Sequence, residues 1–388
     1  MESTDQHTPT YSLKALILYF LKLGTWGFGG PVALVGYMHR DLVDRKQWIS
    51  EDDYREGMAL SQLAPGPLAA QLSIYIGYVH YHILGATLVG LAFVFPSFLM
   101  VLGISWAYVS FGGIPWMQAI FYGVGAAVIG IITISSYKLT TKSIGKDLWL
   151  WGIFIVLAVF TFVTEEENIW LILASGILIW LRKSPPSFSK KPLAMIAWPA
   201  LLQIPATVTT SGKLWQIAWF FTKAGAFVFG SGLAIVPFLY GGVVKEYHWL
   251  NEQQIVDAVA VAMITPGPVV ITVGFIGYQV AGLAGASVAA LATFLPCYLF
   301  TILPAPYFKR YGKHPGIKAF VDGVTAAAIG AIAGAVLVLA KRNLIDIPTV
   351  VIAVTTAAVL FRYKKIQEPF VILAAAVIGV VLKWYVIK

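Results

Sequence analysis

Charge is what this 388-residue chain has least of. Asp, Glu, Lys and Arg make up 12% of it, about half of the roughly 25% found in a typical soluble domain. A chain this poor in charge, 59% hydrophobic with a mean hydropathy of +0.79, cannot cover a soluble surface. It reads as an all-α polytopic membrane protein, multi-pass in a bacterial-type cell (inner) membrane. Cysteine is nearly absent: the lone Cys297 excludes an intramolecular disulfide and any cysteine-based metal cage. His80 and His82 share a short stretch without metal-ligand partners, so no metal site and no cofactor is expected. No cluster of acids, histidines or nucleophiles gathers near one interface, which argues against a membrane-embedded enzyme such as a lipid transferase. The first residues, "MESTDQHTPTYS", are polar and do not read as a cleavable signal. The net charge of +9 falls mostly in short loops, where a positive-inside bias accounts for it without a nucleic-acid partner.

What the chain does have is an internal repeat. Phe20-Leu-Lys-Leu-Gly-Thr-Trp-Gly-Phe-Gly-Gly matches Phe221-Thr-Lys-Ala-Gly-Ala-Phe-Val-Phe-Gly-Ser at an offset of 201. The same offset pairs Lys22 with Lys223, Trp48 with Trp249, Glu56 with Asp257, and Pro65-Gly66-Pro67 with Pro266-Gly267-Pro268. After one deletion the offset is 200, pairing Gly77 with Gly277, Pro96 with Pro296 and Gly123 with Gly323. The chain is a duplication: residues 1–183 form one repeat, 213–388 the other, and 184–212 a linker with a short membrane segment in "KPLAMIAWPALLQIPATV".

Loop charges orient the repeats. In the first, the loop near 110–115 is neutral, the loop from Lys138 to Lys146 is basic, and Glu165-Glu166-Glu167 is acidic. Their counterparts differ: Lys309, Arg310, Lys313 and Lys318 fill one, and Arg362, Lys364 and Lys365 fill another. Basic loops stay cytoplasmic, so the first and third loops change sides and the repeats have inverted topology. Lys341-Arg342 in the middle loop runs against this pattern. Six apolar segments per repeat, plus the linker segment, give thirteen expected crossings.

Each Pro-Gly-Pro interrupts an apolar segment. Helix-interior proline removes a backbone hydrogen bond and clashes with the preceding turn, and irregular backbone survives in a bilayer only inside protein or along a watery cavity. The expectation is therefore a pair of broken helices whose half-helix N-termini present N–H groups and a positive dipole end to an anion. The candidate binding residues are Pro65, Gly66 and Pro67 with Pro266, Gly267 and Pro268. The glycine-rich runs Gly27, Phe28, Gly29, Gly30 and Gly230, Ser231, Gly232 join them, together with the polar Gln62, Gln71 and Thr265. The plainer alternative is close packing of small residues and ordinary proline kinks. Lys22 and Lys223 either face a cavity or snorkel to an interface. Arg40 and Arg45 are vestibule candidates. Glu56 and Asp257 carry a coupling proton, pair with a lysine, or sit simply as acids near helix N-termini.

These residues carry a resemblance. "FGGP" from Phe28, the pattern through Arg40, Val43, Lys46, Trp48, Ile49 and Ser50, and "APGPLAAQL" resemble the long-chain, bidomain chromate ion transporters. So do "FVFGSGLAIVPFLYGGVV", "AVAMITPGPVVITVGFIGY" and "TFLPCYLFTILPAPYFKRYG". The resemblance covers nearly the whole chain. It implies a transporter and not an enzyme, exporting chromate and conferring chromate resistance, with sulfate as structural analogue and proton antiport as the usual coupling. The partners it implies are the oxyanion, the lipid bilayer and protons, with a homodimer left open. Transport of sulfate or another tetrahedral oxyanion, and a passive anion channel, remain as alternatives.

Overall fold

The computed structural model describes residues 11–28, 30–111, 115–164, 168–185, 212–227, 229–230, 235–311, 314–363, 366 and 368–385. Repeat 1 begins with α1 (Leu13–Trp26), α2 (Gly30–Met38) and a π-helical turn (His39–Arg45). It continues through α3 (Glu51–Leu63), the two-residue strand β1 (Gly66–Pro67) and α4 (Leu68–Phe111), and closes with α5 (Pro115–Ser143), α6 (Leu148–Thr164) and α7 (Ile169–Lys183). Repeat 2 opens with α8 (Lys213–Ala226), β2 (Phe229–Gly230), α9 (Ile235–Leu239) and a π-helical turn (Tyr240–Glu246). Next come α10 (Glu252–Ile264), a 3-10 turn (Val269–Ile271), α11 (Thr272–Ile302), α12 (Ala305–Tyr311), α13 (Pro315–Asn343), α14 (Ile347–Arg362) and α15 (Glu368–Tyr385).

The same local signals set equivalent ends. Ser50 caps α3, its hydroxyl accepting from the Asp53 N–H at 3.0 Å, and Asn251 caps α10 in a reciprocal pair with Gln254. Such caps satisfy N–H groups that a helix start leaves open.

The first apolar segments do not cross. The Tyr19 hydroxyl donates to the Tyr37 carbonyl at 3.3 Å, so α2 folds back along α1 with Gly27 and Phe28 at the tip. Gly57 lies against the Tyr75 ring, so the first limb of α4 folds back along α3 with Pro-Gly-Pro at the tip. In repeat 2, Phe220 meets Gly242, and the Gln254 side chain reaches Gln279 at 3.2 Å across the second Pro-Gly-Pro. These four elements are re-entrant hairpins.

The 44 residues of α4 are not one rod either. His82 has φ 49°, and Gly77 packs against the backbone of Gly85, so the chain reverses and the second limb runs from Ile83 to Phe111. α11 reverses likewise at Ala281 and Gly282, with Gly277 against Gly285. Among the described residues each repeat keeps four helices outside the hairpins: the second limb of α4 with α5, α6 and α7, and the second limb of α11 with α13, α14 and α15. The six crossings per repeat expected from apolar length give way to these four.

Helix directions and a chain reversal together give the inversion. Gly330 lies against Phe154 and Leu157, and Gly334 against Ala158 and Thr161, so α13 runs parallel to α6. Tyr122 meets Asp346, Gly130 meets Ala353 and Thr356, and Tyr137 meets Phe361, so α5 runs parallel to α14. α5 and α6 follow one another across residues 144–147, and so short a connection reverses the chain; the equivalent helices α5 and α13 then point in opposite directions. The packing is exchanged between repeats: α5 nests with α14 and α15, and α13 with α6 and α7. With four crossings in each of two inverted repeats, α7 ends on one face and α8 starts on the other. The apolar stretch of the 184–212 linker lies outside the described residues.

Burial is inverted relative to a soluble protein. Leu91, Phe95, Leu99, Leu291 and Leu295 are exposed on the second limbs, while Ser97, Ser105, Thr293 and Thr301 are buried. Ser105, Thr293 and Thr301 bond carbonyls four residues back, which lets a hydroxyl lie in an apolar interior.

Candidate functional site

The four hairpin tips meet. Gly66–Pro67 pairs in parallel with Phe229–Gly230, and the Gly267 N–H donates to the Gly27 carbonyl at 3.1 Å. Every one of these contacts joins repeat 1 to repeat 2. The second limbs brace them. The Ser97 hydroxyl donates to the Pro266 carbonyl at 2.6 Å, and its counterpart Cys297 stands beside Gly66. Gly66 and Gly267 have φ of 142° and 94°, a region that side chains with a Cβ avoid.

Around the Pro-Gly-Pro turns, Gly66, Pro67, Thr265, Pro266, Gly267 and Pro268 are buried and Pro65 is half-buried. Gln71 is 0% exposed; its Nε2 donates to the Pro65 carbonyl at 2.7 Å, and its Oε1 has no partner. The Thr265 hydroxyl bonds the Ala262 carbonyl, and Gln62 is exposed. Gly230 lies in β2 and Gly30 opens α2, whereas Gly29, Ser231 and Gly232 lie outside the described residues.

A cleft of about 810 Å³ leads to the first tip. Lys22, Gly27, Phe28, Arg40, Arg45 and Lys46 line it, with Asp41 as its one acid. Arg40 Nε lies 2.9 Å and Arg45 Nη1 3.6 Å from Asp41 Oδ1, which leaves the lining with a positive surplus. Lys46 sits over the Trp48 ring at 4.3 Å. The π-helical turn aims Arg40 and Arg45 into the cleft; such turns recur at functional sites. Sequence reading passed over Lys46 and Asp41, although both lie in the same charged run as Arg40 and Arg45.

The residues that line this cleft differ in repeat 2. Tyr19, Tyr37, Arg40, Arg45 and Lys46 are replaced by Phe220, Phe238, Gly241, Glu246 and Tyr247. Phe220 fills that space, packed on Phe238, Tyr247 and Trp249 at 5.6, 5.7 and 5.8 Å. The paired lysines also part company: Lys22 is exposed in the cleft, and Lys223 is half-buried over the Trp219 ring at 5.7 Å. Glu56 is half-buried beside Tyr75. Asp257 is 3% exposed, with the Tyr108 hydroxyl donating to Oδ2 at 2.8 Å and Gln253 Nε2 to Oδ1 at 2.9 Å.

Inverted repeats, re-entrant hairpins meeting at their tips and a cleft lined by cationic side chains on one side define a multi-pass membrane transporter. Residues 14–180 and 215–380 each match the chromate transporter family, and the chain belongs to that family, whose members are transporters and not enzymes. It is 67% identical to the chromate transport protein of Cupriavidus metallidurans over 97% of this chain and 94% of that one. It is 62% identical to a probable chromate transport protein of Synechococcus elongatus over 96% of each. With the chromate transport protein of Pseudomonas aeruginosa it shares 31% identity over 97% of this chain and 94% of that one. No solved structure matches it.

Proposed function

We propose that the chain exports chromate by alternating access, collecting the dianion in the Lys22 cleft and passing it between the repeats at the hairpin tips. The asymmetry of the two approaches carries this reading. One side is open and cationic, and the other is closed by aromatic rings. Helix directions put Arg40, Arg45, the Lys138–Lys146 loop, Arg182, Lys183, Lys318 and Arg362 on the open side, which is the cytoplasmic one by loop charge. An anion from the cytoplasm meets Lys22 and the Gly27–Phe28 backbone first.

Energetics favour the same direction. One charge moved through 100 mV is worth about 2.3 kcal/mol, so a dianion leaving a negative interior gains about 4.6 kcal/mol. Proton antiport would add a second gradient. Sulfate shares the tetrahedral shape and charge and is expected to compete.

The test is flux in proteoliposomes loaded with labelled chromate, with a pH gradient and a membrane potential imposed separately. Protein-dependent efflux that sulfate inhibits and the pH gradient quickens is expected. Lys22→Ala should slow it about tenfold, the scale of one lost charged contact, and Lys223→Ala much less. Equal losses at both lysines would remove the cleft from the pathway. Flux of sulfate without chromate would reassign the substrate, and currents that follow voltage alone would make the protein a channel.

A further inference from the structure

Besides the helix-opening pair Glu51 and Glu252, each repeat carries an acid at the same place on its second hairpin, Glu56 in α3 and Asp257 in α10. The tyrosine serving the acid comes from a different repeat in the two cases. Glu56 engages Tyr75 of its own repeat, whereas Asp257 accepts from Tyr108 of the opposite one. At the reciprocal positions the hydroxyls are missing, since Tyr75 corresponds to Phe275 and Tyr108 to Phe308. The Phe275 ring packs edge-on against Tyr108 at 5.1 Å, and Phe308 packs in the cluster that holds Tyr75. The same aromatic positions therefore surround both acids, with one hydroxyl apiece. In repeat 2 that hydroxyl has moved across the repeat interface.

The move coincides with burial. Asp257 is sealed in, with Tyr108 from α4 and Gln253 from α10 itself as the polar groups acting on it. Among the described residues no charged group from α5, α11, α13 or α15, which pack on α10, faces it. A carboxyl group in a membrane interior without a counter-ion is costly to keep unless it has work to do. Its place fits proton entry, since α10 approaches the tips from the face opposite the cationic cleft. The helix that reads it is the one that braces the tip: the second limb of α4 holds Asp257 through Tyr108 and the Pro266 carbonyl through Ser97.

We infer that Asp257 is the seat of the counter-transported proton, and that Tyr108 is its positioning residue, coupling the charge at Asp257 to α4 of the opposite repeat. This rests on reading the chain as a proton-coupled oxyanion exporter. The step adds one proton to a carboxylate oxygen, taking the local charge from minus one to zero, and breaks no other covalent bond. The ionised group accepts from both Tyr108 and Gln253. Once protonated it carries a donor of its own, and the Tyr108 contact weakens from charge-assisted to neutral.

Wild-type protein, Asp257→Asn, Glu56→Gln and Tyr108→Phe are compared for chromate flux in proteoliposomes at zero potential, with and without a pH gradient, and across internal pH. Melting in detergent verifies each fold. Asp257→Asn is expected to lose the acceleration by the pH gradient. Tyr108→Phe should move the pH midpoint of flux upward by about one unit, because it removes a donor to the ionised form. Retained acceleration in Asp257→Asn, or its loss in Glu56→Gln instead, overturns the assignment. If Asp257→Asn does not fold, Tyr108→Phe decides, and an unmoved midpoint overturns it. Chromate flux in the wild type that ignores the pH gradient sinks proton coupling itself, a different failure from one confined to Asp257.

Discussion

At the scale of single residues, the centre of the molecule depends on positions that only glycine tolerates. A Cβ at Gly267 would run into the Ser97 hydroxyl, and φ of 94° strains any larger residue. Gly267→Ala is expected to cost about 1–3 kcal/mol, read as a lower melting temperature in detergent together with lost flux. Ser97→Ala removes one hydrogen bond and should cost about 1 kcal/mol. The glycines and prolines of the tips were legible because their backbone preferences are local. Ser97 was not, because its partner Pro266 is 169 residues away and nothing beside Pro96 signals it. Tyr108 was missed for the same reason. Lys22 and Lys223 show the opposite limit: matched in sequence, they lie in different surroundings, because divergence in the π-helical turns opened one side and filled the other.

At the scale of elements, apolar length misled and chain breakers did not. Residues 57–80 are long enough to span, yet Pro-Gly-Pro divides them into two limbs packed side by side. The expectation of broken helices was sound, but the thirteen crossings built on length were too many. Reversal at His82 and Gly282 makes a sharp topological forecast. A cysteine placed at residue 82, with Cys297 changed to Ser, should label with a membrane-impermeant maleimide from the cytoplasmic side only. A cysteine at residue 282 should label from the outside only. A straight α4 would bury residue 82 within the bilayer and leave it unlabelled from both sides.

At the scale of the whole molecule, neither repeat has a complete set of neighbours of its own, because α5 packs on α14 and α15, and α13 on α6 and α7. Residues 1–185 and 186–388 produced together are expected to co-purify, while either alone should be unstable in the membrane. Recovery of a monodisperse single half would contradict the exchanged packing. Lys183 ties the repeats together, 3.0 Å from Asp147 and 3.4 Å from Asp322. The hydrogen bond from Lys183 holds the Asp147 carboxyl below the usual carboxylate range. Its stabilisation is present above about pH 4 and fades as the pH falls further. Lys183→Met should therefore lower the melting temperature near neutral pH, by the equivalent of at most about 1 kcal/mol, and the difference should vanish in strong acid. The inversion itself was legible in the loops, since loop charge reports sidedness directly. The exchange of helices between repeats was not, because the repeats share one apolar pattern and either partner would satisfy it.

The junction of the four tips has a consequence for mutagenesis. The strand pairing of Gly66–Pro67 with Phe229–Gly230, and the bond from Gly267 to Gly27, join main chain to main chain. Replacing a side chain does not delete such a bond, so alanine at Gly27, Gly66 or Gly267 reports the clash and strain of the new Cβ and leaves the bond itself unmeasured. An amide-to-ester exchange at residue 267 removes the donor to Gly27, weakens the Pro266 carbonyl as an acceptor for Ser97 and adds no Cβ, so it measures the junction without the strain of a substitution.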